Sequence, residues 1–256
     1  MRKVLLGIIL WVSLLFSCHN NRVPVERINR ELPINDVINA TVAIIHERTQ
    51  SVNESAQPYC SGFFISRTMI VSALHCFQEI RSINVGDTVI QIPTVPNPTG
   101  HIIQFARYGD LNMLTRHFEN DVLNEARIVQ IDSLNDIALL IIEPGTDPSD
   151  DYILLQTRAP QVTEHVYLVG HPQEIIWTVV DGIISRVLIN ERNRPLLIQA
   201  TVPLIGGFSG GPLVNERGDV LGLTSGYMSG NHHISIFIAS EQIAIVMLRY
   251  QLVTMP

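Results

Sequence analysis

Lysine is almost missing from this chain. Lys3 is the only one in 256 residues, and every other basic side chain is an arginine. Charge is sparse in general: Asp, Glu, Lys and Arg make up 16%, where an ordinary soluble domain carries about 25%. The 17 basic residues against 24 acidic ones leave a formal charge of −7, with no basic stripe anywhere along the chain. A nucleic-acid partner is excluded on that ground, since phosphate binding rests on clustered Lys and Arg. The histidines lack metal-ligand spacing as well. His165, His171 and the His232-His233 pair have no companion carboxylates at suitable intervals, so no metal is expected. The apolar run Val4 to Phe16 falls short of the ~20 residues that span a bilayer.

That run follows Arg2 and Lys3 and ends in small polar residues, so residues 1–17 read as an export signal. Leu15-Phe16-Ser17-Cys18 is similar to the bacterial lipobox, in which the signal is cut before the cysteine and the thiol is lipidated. Phe16 is bulkier than the small residue usual there. The alternatives are a lipoprotein anchored at Cys18, the sole membrane association expected, and a plain secretory signal that leaves Cys18 a free thiol. Either reading puts the mature chain outside the cytoplasm, as a periplasmic or cell-surface lipoprotein or as a secreted protein. Residues 18–35, polar with Pro24 and Pro33, read as a tether. Cys60 and Cys76 then remain as an even pair, which in an exported protein suggests a disulfide and otherwise two buried thiols.

The body of the chain is a succession of short β-branched runs. Thr41 to His46, Ser61 to Ile65 and Thr68 to Ser72 read as strands, as do Ile83 to Val85 and Thr88 to Ile92. Pro93 to Asn124, broken by Pro93, Pro96, Pro98 and Gly100, reads as a long surface insertion. Ala126 to Ile131 and Asp136 to Ile142 resume strand character, and an acidic, turn-rich connection near residue 150 divides the halves 36–150 and 151–256. Val166 to Gly170 opens the second half. Trp177 to Val180, Asp181-Gly182 and Ile183 to Ile189 read as strand, turn, strand, and Leu196 to Thr201, Asp219 to Thr224 and Ile234 to Ala239 complete the set. Ser240 can N-cap a terminal helix with Ile243, Val246, Met247 and Tyr250 on one side. Many short strands with a single late helix indicate an all-β barrel protein.

One stretch does not fit a purely structural reading. Gly206-Gly207-Phe208-Ser209-Gly210-Gly211-Pro212 rings a serine with glycines between apolar flanks. Glycine admits positive φ and carries no Cβ, so successive amides can turn toward one point. The amides of Gly207 and Ser209 could bind an oxyanion while the Ser209 hydroxyl attacks a carbonyl. Alone, the stretch also fits a tight turn with an incidental serine. A serine hydroxyl needs an imidazole to take its proton, and the imidazole needs a carboxylate on its other nitrogen. His75, after the buried run Ile70 to Leu74, and Asp136, before Ile137 to Leu140, supply both in the chain order His, Asp, Ser.

Together, Val71-Ser72-Ala73-Leu74-His75-Cys76, Asp136-Ile137-Ala138-Leu139-Leu140 and Gly207-Phe208-Ser209-Gly210-Gly211-Pro212 resemble the three catalytic motifs of the trypsin-like serine endopeptidases of the chymotrypsin fold. The resemblance runs over residues 40–250 and is nearest in style to the bacterial periplasmic high-temperature-requirement and glutamyl endopeptidase branches. It implies two antiparallel six-stranded β-barrels with a C-terminal helix, the first carrying His75 and Asp136 and the second Ser209. It implies peptide-bond hydrolysis through an acyl-enzyme, protein or peptide substrates, an oxyanion hole at Gly207 and Ser209, and no cofactor. Cys60 and Cys76 match in spacing a family disulfide that braces the histidine loop.

The same resemblance has Ser225 bond the catalytic aspartate and places Ser225, Gly226, Tyr227 and His233 along the substrate cleft. Phe208 stands where zymogen-type members carry an aspartate, so no activation by a new amino terminus is implied. Gly226-Tyr227 reverses the usual aromatic-glycine order. Two rival readings use the same residues: a catalytically inactive relative that serves as an extracellular binding protein, and an esterase with the same triad.

Overall fold

Short runs of Val, Ile and Phe bounded by turns become strands, and in the computed structural model the strands close into two barrels. The structure describes residues 34–45, 58–85, 88–94, 102–112, 117–118, 123–156, 158–228 and 231–254. The expected export signal, Cys18 and residues 18–33 of the expected tether lie outside these. The last two tether residues, Ile34 and Asn35, instead open a short helix, α1 (Ile34–Ala40), whose Val37 and Ala40 are buried. Thr41 ends it by donating its hydroxyl to the Val37 carbonyl at 2.7 Å.

In the first barrel β1 (Thr41–Ile45), β2 (Pro58–Phe64) and β3 (Met69–Ala73) form a meander. A separate hairpin follows, β4 (Glu79–Val85) with β5 (Thr88–Thr94). Next come β6 (Ile102–Ala106), the small pair β7 (Leu111–Asn112) and β8 (His117–Phe118), then β9 (Asn124–Asp132) and β10 (Ile137–Ile142). The barrel closes in the order β1-β2-β3-β10-β9-β6. The second is built from β11 (His165–Gly170), β12 (Thr178–Ile189), β13 (Pro195–Ala200), β14 (Pro212–Asn215), β15 (Val220–Met228) and β16 (Asn231–Ala239). It closes as β11-β12-β13-β16-β15-β14. The expected pair of six-stranded antiparallel barrels is the observed fold.

Other expectations need correction as well. The stretch 93–124 is not all surface insertion, because β6 lies within it and pairs with both β1 and β9, closing the barrel. Its Phe105 is fully buried and meets Phe64 edge-on at 5.9 Å. Five residues interrupted by Gln104 and preceded by a Pro/Gly-rich run leave too little alternation to read as a strand. Nor is Asp181-Gly182 a turn. β12 runs straight through it, with Asp181 opposite Tyr167 and Gly182 opposite Val166. Glycine is needed there for close approach: a Cβ would lie 2.9 Å from the Val202 nitrogen.

The inner strands are apolar on both faces because both faces are buried. Phe64, Ile70, Ala138 and Leu140 fill the first barrel, while their neighbours Phe63, Val71, Ile137 and Leu139 face a second cluster. That alternation is the two-residue period of a strand. The second cluster joins the barrels: it includes Val169, Val214, Leu223 and Ile238 of the second one. Helix α2 (Ser240–Thr254) caps it with Ile243 and Val246, flanked by Met247 and Tyr250. Ser240 does not N-cap this helix. It is the first helical residue, and its hydroxyl donates to the Gln156 carbonyl at 3.4 Å. Arg249 ties the helix to the first barrel through Asp132 at 3.1 Å.

Phe105→Ala tests the place of β6. Loss of a fully packed aromatic should cost about 3–5 kcal/mol in denaturant unfolding. A surface-insertion residue would change the unfolding free energy by less than about 0.5 kcal/mol.

Candidate active site

Strand register brings the first two candidate residues together. β3 and β10 pair with Ala73 opposite Ile137, so the residues just beyond one end and just before the other are neighbours. The chain leaving β3 tightens into a single 3-10 turn, Leu74–Phe77, which carries His75. Asp136 precedes β10 with φ 53°, a left-handed conformation that aspartate tolerates better than most residues. Its carbonyl accepts from the Leu74 amide at 3.0 Å. Its Oδ1 accepts from the His75 amide at 2.8 Å, and its Oδ2 lies 2.7 Å from His75 Nδ1.

A third donor comes from the other barrel. Ser225, in β15, donates its hydroxyl to Asp136 Oδ2 at 2.6 Å. Burial raises the carboxyl's affinity for a proton, but the hydrogen bonds and charge of His75, with the Ser225 hydroxyl, overcome it. The Asp136 pKa is held below the usual carboxylate value. An ionised Asp136 accepts from Nδ1–H, which leaves Nε2 of a neutral His75 free to receive a proton.

The Ser209 loop is held from several sides. Gly207 and Gly210 have φ of 102° and 83°. A Cβ on Gly207 would sit 2.1 Å from the His171 carbonyl, and one on Gly210 2.1 Å from the Ser61 carbonyl. Phe208, between Gly207 and the serine, is buried in the second-barrel core. The Gly210 amide donates to Thr224 O and the Thr224 amide to Gly211 O, at 2.8 and 2.9 Å. Across the cleft the Ser61 amide donates to the Ser209 carbonyl at 2.7 Å. The amides of Gly207 and Ser209 themselves donate to no other described residue. Among the described residues the half-buried Ser209 hydroxyl also makes no hydrogen bond, His75 included; catalytic contacts of this type commonly tighten only around a bound substrate.

Cys60 and Cys76 face each other as a disulfide pair with Cα atoms 6.2 Å apart. With His75 they make the one grouping of metal-ligand types among the described residues, but a bridged sulfur is not the thiolate that binds metals. Gly226 is half-buried beside the bulge that breaks the β15–β16 register. The side chains of Tyr227 and His233 lie outside the described residues, so their expected places in the cleft stand as expectations.

Residues 60–223 match the family model of the trypsin-like peptidase domain. The chain belongs to that family. It is similar to the serine endoprotease DegS of Escherichia coli (strain K12), 33% identical over 151 residues that cover 57% of this chain and 40% of the relative. A probable periplasmic serine endoprotease, DegP-like, of Hahella chejuensis is 34% identical over 129 residues, covering 45% and 26%. The chain thus spans less than half the length of these relatives. The crystal structure of the serine endoprotease from Yersinia pestis aligns with a TM-score of 0.58 at 22% identity, over 86% of this chain and 68% of that one. That likeness shows the chymotrypsin-like fold.

Sequence reasoning missed the residues behind the loop of this trypsin-like peptidase. His171 is fully buried, its Nδ1 accepting from the Trp177 amide at 3.0 Å. Trp177 in turn reaches the first barrel by donating Nε1–H to the Thr41 carbonyl at 3.1 Å. A Gly-His-Pro turn in an otherwise apolar stretch carries no signal for such a role. Burial pushes the His171 ring far below the ordinary histidine pKa of 6.5, to about 3, against a smaller opposing pull from the Val42 backbone.

The sign of the pH effect follows. Between about 6.5 and about 3 the unfolded chain takes up a proton at His171 that the folded protein refuses. Stability is therefore lost as pH is lowered through that window, by at most about 1.4 kcal/mol per unit from this residue. Asp136, with its lowered pKa, adds a loss that sets in as pH drops below the usual carboxylate value. Unfolding titrations from pH 7 to 4 should show this slope, and His171→Asn, which keeps an acceptor for Trp177, should flatten it. An unchanged slope in the variant would refute the assignment.

Proposed function

We propose that the protein is a serine endopeptidase that cleaves protein or peptide substrates through an acyl-enzyme. The observation that carries this reading is the three-point hold on the Asp136 carboxylate, from the His75 amide, His75 Nδ1 and Ser225, beside a glycine-ringed serine. In the proposed cycle His75 Nε2 takes the Ser209 proton as Oγ adds to the scissile carbonyl. The Gly207 and Ser209 amides receive the oxyanion. His75 returns the proton to the leaving amine as the C–N bond breaks, then activates water to release the acyl group. Asp136 fixes the tautomer and stabilises the imidazolium. No metal or organic cofactor enters these steps.

The bond between Cys60 and Cys76 braces the turn that carries His75. Burial of Phe208 in the core supports activity without a newly cut amino terminus. The names of the DegS and DegP-like relatives support action on protein substrates outside the cytoplasm. The export signal at residues 1–17 agrees with that location, with Cys18 as the candidate lipid anchor. The site supports catalysis rather than the inactive binding-protein reading, because His75 and Ser225 are bonded to Asp136 while the Gly207 and Ser209 amides donate to no other described residue.

Ser209→Ala should lose activity by on the order of 10⁴-fold or more with its unfolding midpoint unchanged. Asp136→Asn should lose on the order of 10⁴-fold through the wrong imidazole tautomer. Casein or peptide turnover by Ser209→Ala at the wild-type rate would exclude the triad. Labelling of wild-type Ser209 by a serine-reactive phosphonate separates a live site from an inactive one, and peptide against ester turnover separates peptidase from esterase.

The primary pocket is proposed to take small apolar side chains. Pro203, six residues before Ser209, occupies the place where trypsin-like specificity has an aspartate, and its neighbour Leu204 is buried and apolar. Thr224, at the position matching the glutamyl endopeptidase histidine, is buried with its hydroxyl on Gly211 O. Cleavage after Glu or Asp would then require His233. A peptide-library profile should favour Ala or Val at the cleaved position, and a strong preference for Arg or Lys would overturn the assignment.

A further inference from the structure

The geometry points to Ser61 as a positioning residue that holds the oxyanion loop in its working form; this rests on the reading of Ser209 as nucleophile. Ser61 is fully buried in β2, in the first barrel, yet most of its bonds are to the second. Its amide donates to Ser209 O at 2.7 Å. Its hydroxyl donates to Gly207 O at 2.8 Å and accepts from the His171 amide at 3.2 Å. Its carbonyl accepts the Ser72 hydroxyl at 2.7 Å, which anchors it to β3.

The consequence follows from peptide geometry. In a trans peptide the C=O and N–H point in opposite directions, so fixing a carbonyl aims the next amide. The Gly206 carbonyl accepts from the Gln173 amide at 3.0 Å and the Phe208 carbonyl from the Gly211 amide at 2.9 Å. These two bonds set the direction of the Gly207 and Ser209 amides, which donate to no other described residue. The intervening peptide, Gly207–Phe208, joins the two; its N–H donates to the Ile205 carbonyl at a long 3.4 Å, and glycine at φ 102° places little steric restraint of its own on it. Its carbonyl is held by Ser61 Oγ, and the same oxygen anchors His171 at the base of the turn that carries Gln173. One hydroxyl therefore sets both ends of the loop. The preceding residue, Cys60, is paired with Cys76 beside His75, so adjacent residues of β2 brace the imidazole and the oxyanion amides.

Ser61→Ala keeps the amide bond to Ser209 O and removes only the hydroxyl. Active sites are titrated to completion with a serine-reactive phosphonate, and kcat and KM for a peptide substrate are measured per titrated site. Removing a direct oxyanion donor costs about 10²–10³-fold. An indirect one should lower kcat about 10- to 100-fold, with KM within about twofold and affinity for a peptide aldehyde, whose adduct carries the oxyanion, falling by the same factor. A purely structural serine predicts a lower Tm and fewer titrated sites, each turning over at the wild-type rate, and that result overturns the proposal.

If Ser61→Ala does not fold, Ser61→Cys, similar in shape but a weak donor, carries the test after its Cys60–Cys76 bond is checked by mass. Its kcat per site should fall several-fold at constant KM, and an undiminished kcat overturns the role. Failure of wild-type protein to react with the serine-reactive phosphonate overturns the triad reading itself, which the Ser61 result alone does not touch.

Discussion

The Asp136 carboxylate is the point on which the site depends. It binds both the backbone and the ring of His75 within its own barrel and accepts Ser225 from the other, all between 2.6 and 2.8 Å. These bonds favour the charged form strongly enough to offset the cost of partial burial. The charged form is also the one that fixes the imidazole tautomer. Stability and chemistry therefore make the same demand of one side chain. The left-handed backbone at Asp136 is tolerable because the carbonyl that it redirects is used by Leu74.

A site assembled from two barrels also needs the barrels to hold a fixed relation. The apolar cluster between them supplies attraction without direction. Direction comes from hydrogen bonds that cross the cleft: Ser225 to Asp136, Ser61 to Ser209 and Gly207, and Trp177 to Thr41. Each is buried or half-buried, where water competes poorly for the donor. The neutral state of His171 belongs to the same design, since a proton on Nδ1 would remove the acceptor that Trp177 uses.

Much of this was legible in the chain. The apolar runs around His75 and Asp136 marked buried strands because both of their faces are covered, one by the barrel and one by its partner. The glycines around Ser209 marked close approach, and the structure places backbone where the Cβ atoms of Gly207, Gly210 and Gly211 would go, while Gly206 faces open space. Less was legible where local pattern and tertiary role disagree. β6 is short and interrupted by a glutamine, yet it closes a barrel. Asp181-Gly182 has the composition of a turn but lies mid-strand, because the glycine answers to Val202 across the sheet rather than to its neighbours in sequence.

The sequence by itself determined the all-β class and the order His75, Asp136, Ser209, and it offered Cys60 and Cys76 as a candidate pair, since each depends on residue type and spacing along one chain. Only the tertiary structure decided which groups hold that constellation in place. Ser61, His171, Gln173 and Trp177 act through backbone carbonyls and amides of residues distant in the chain. A backbone group is the same in every residue, so its partner is chosen by the fold and leaves no mark in the sequence.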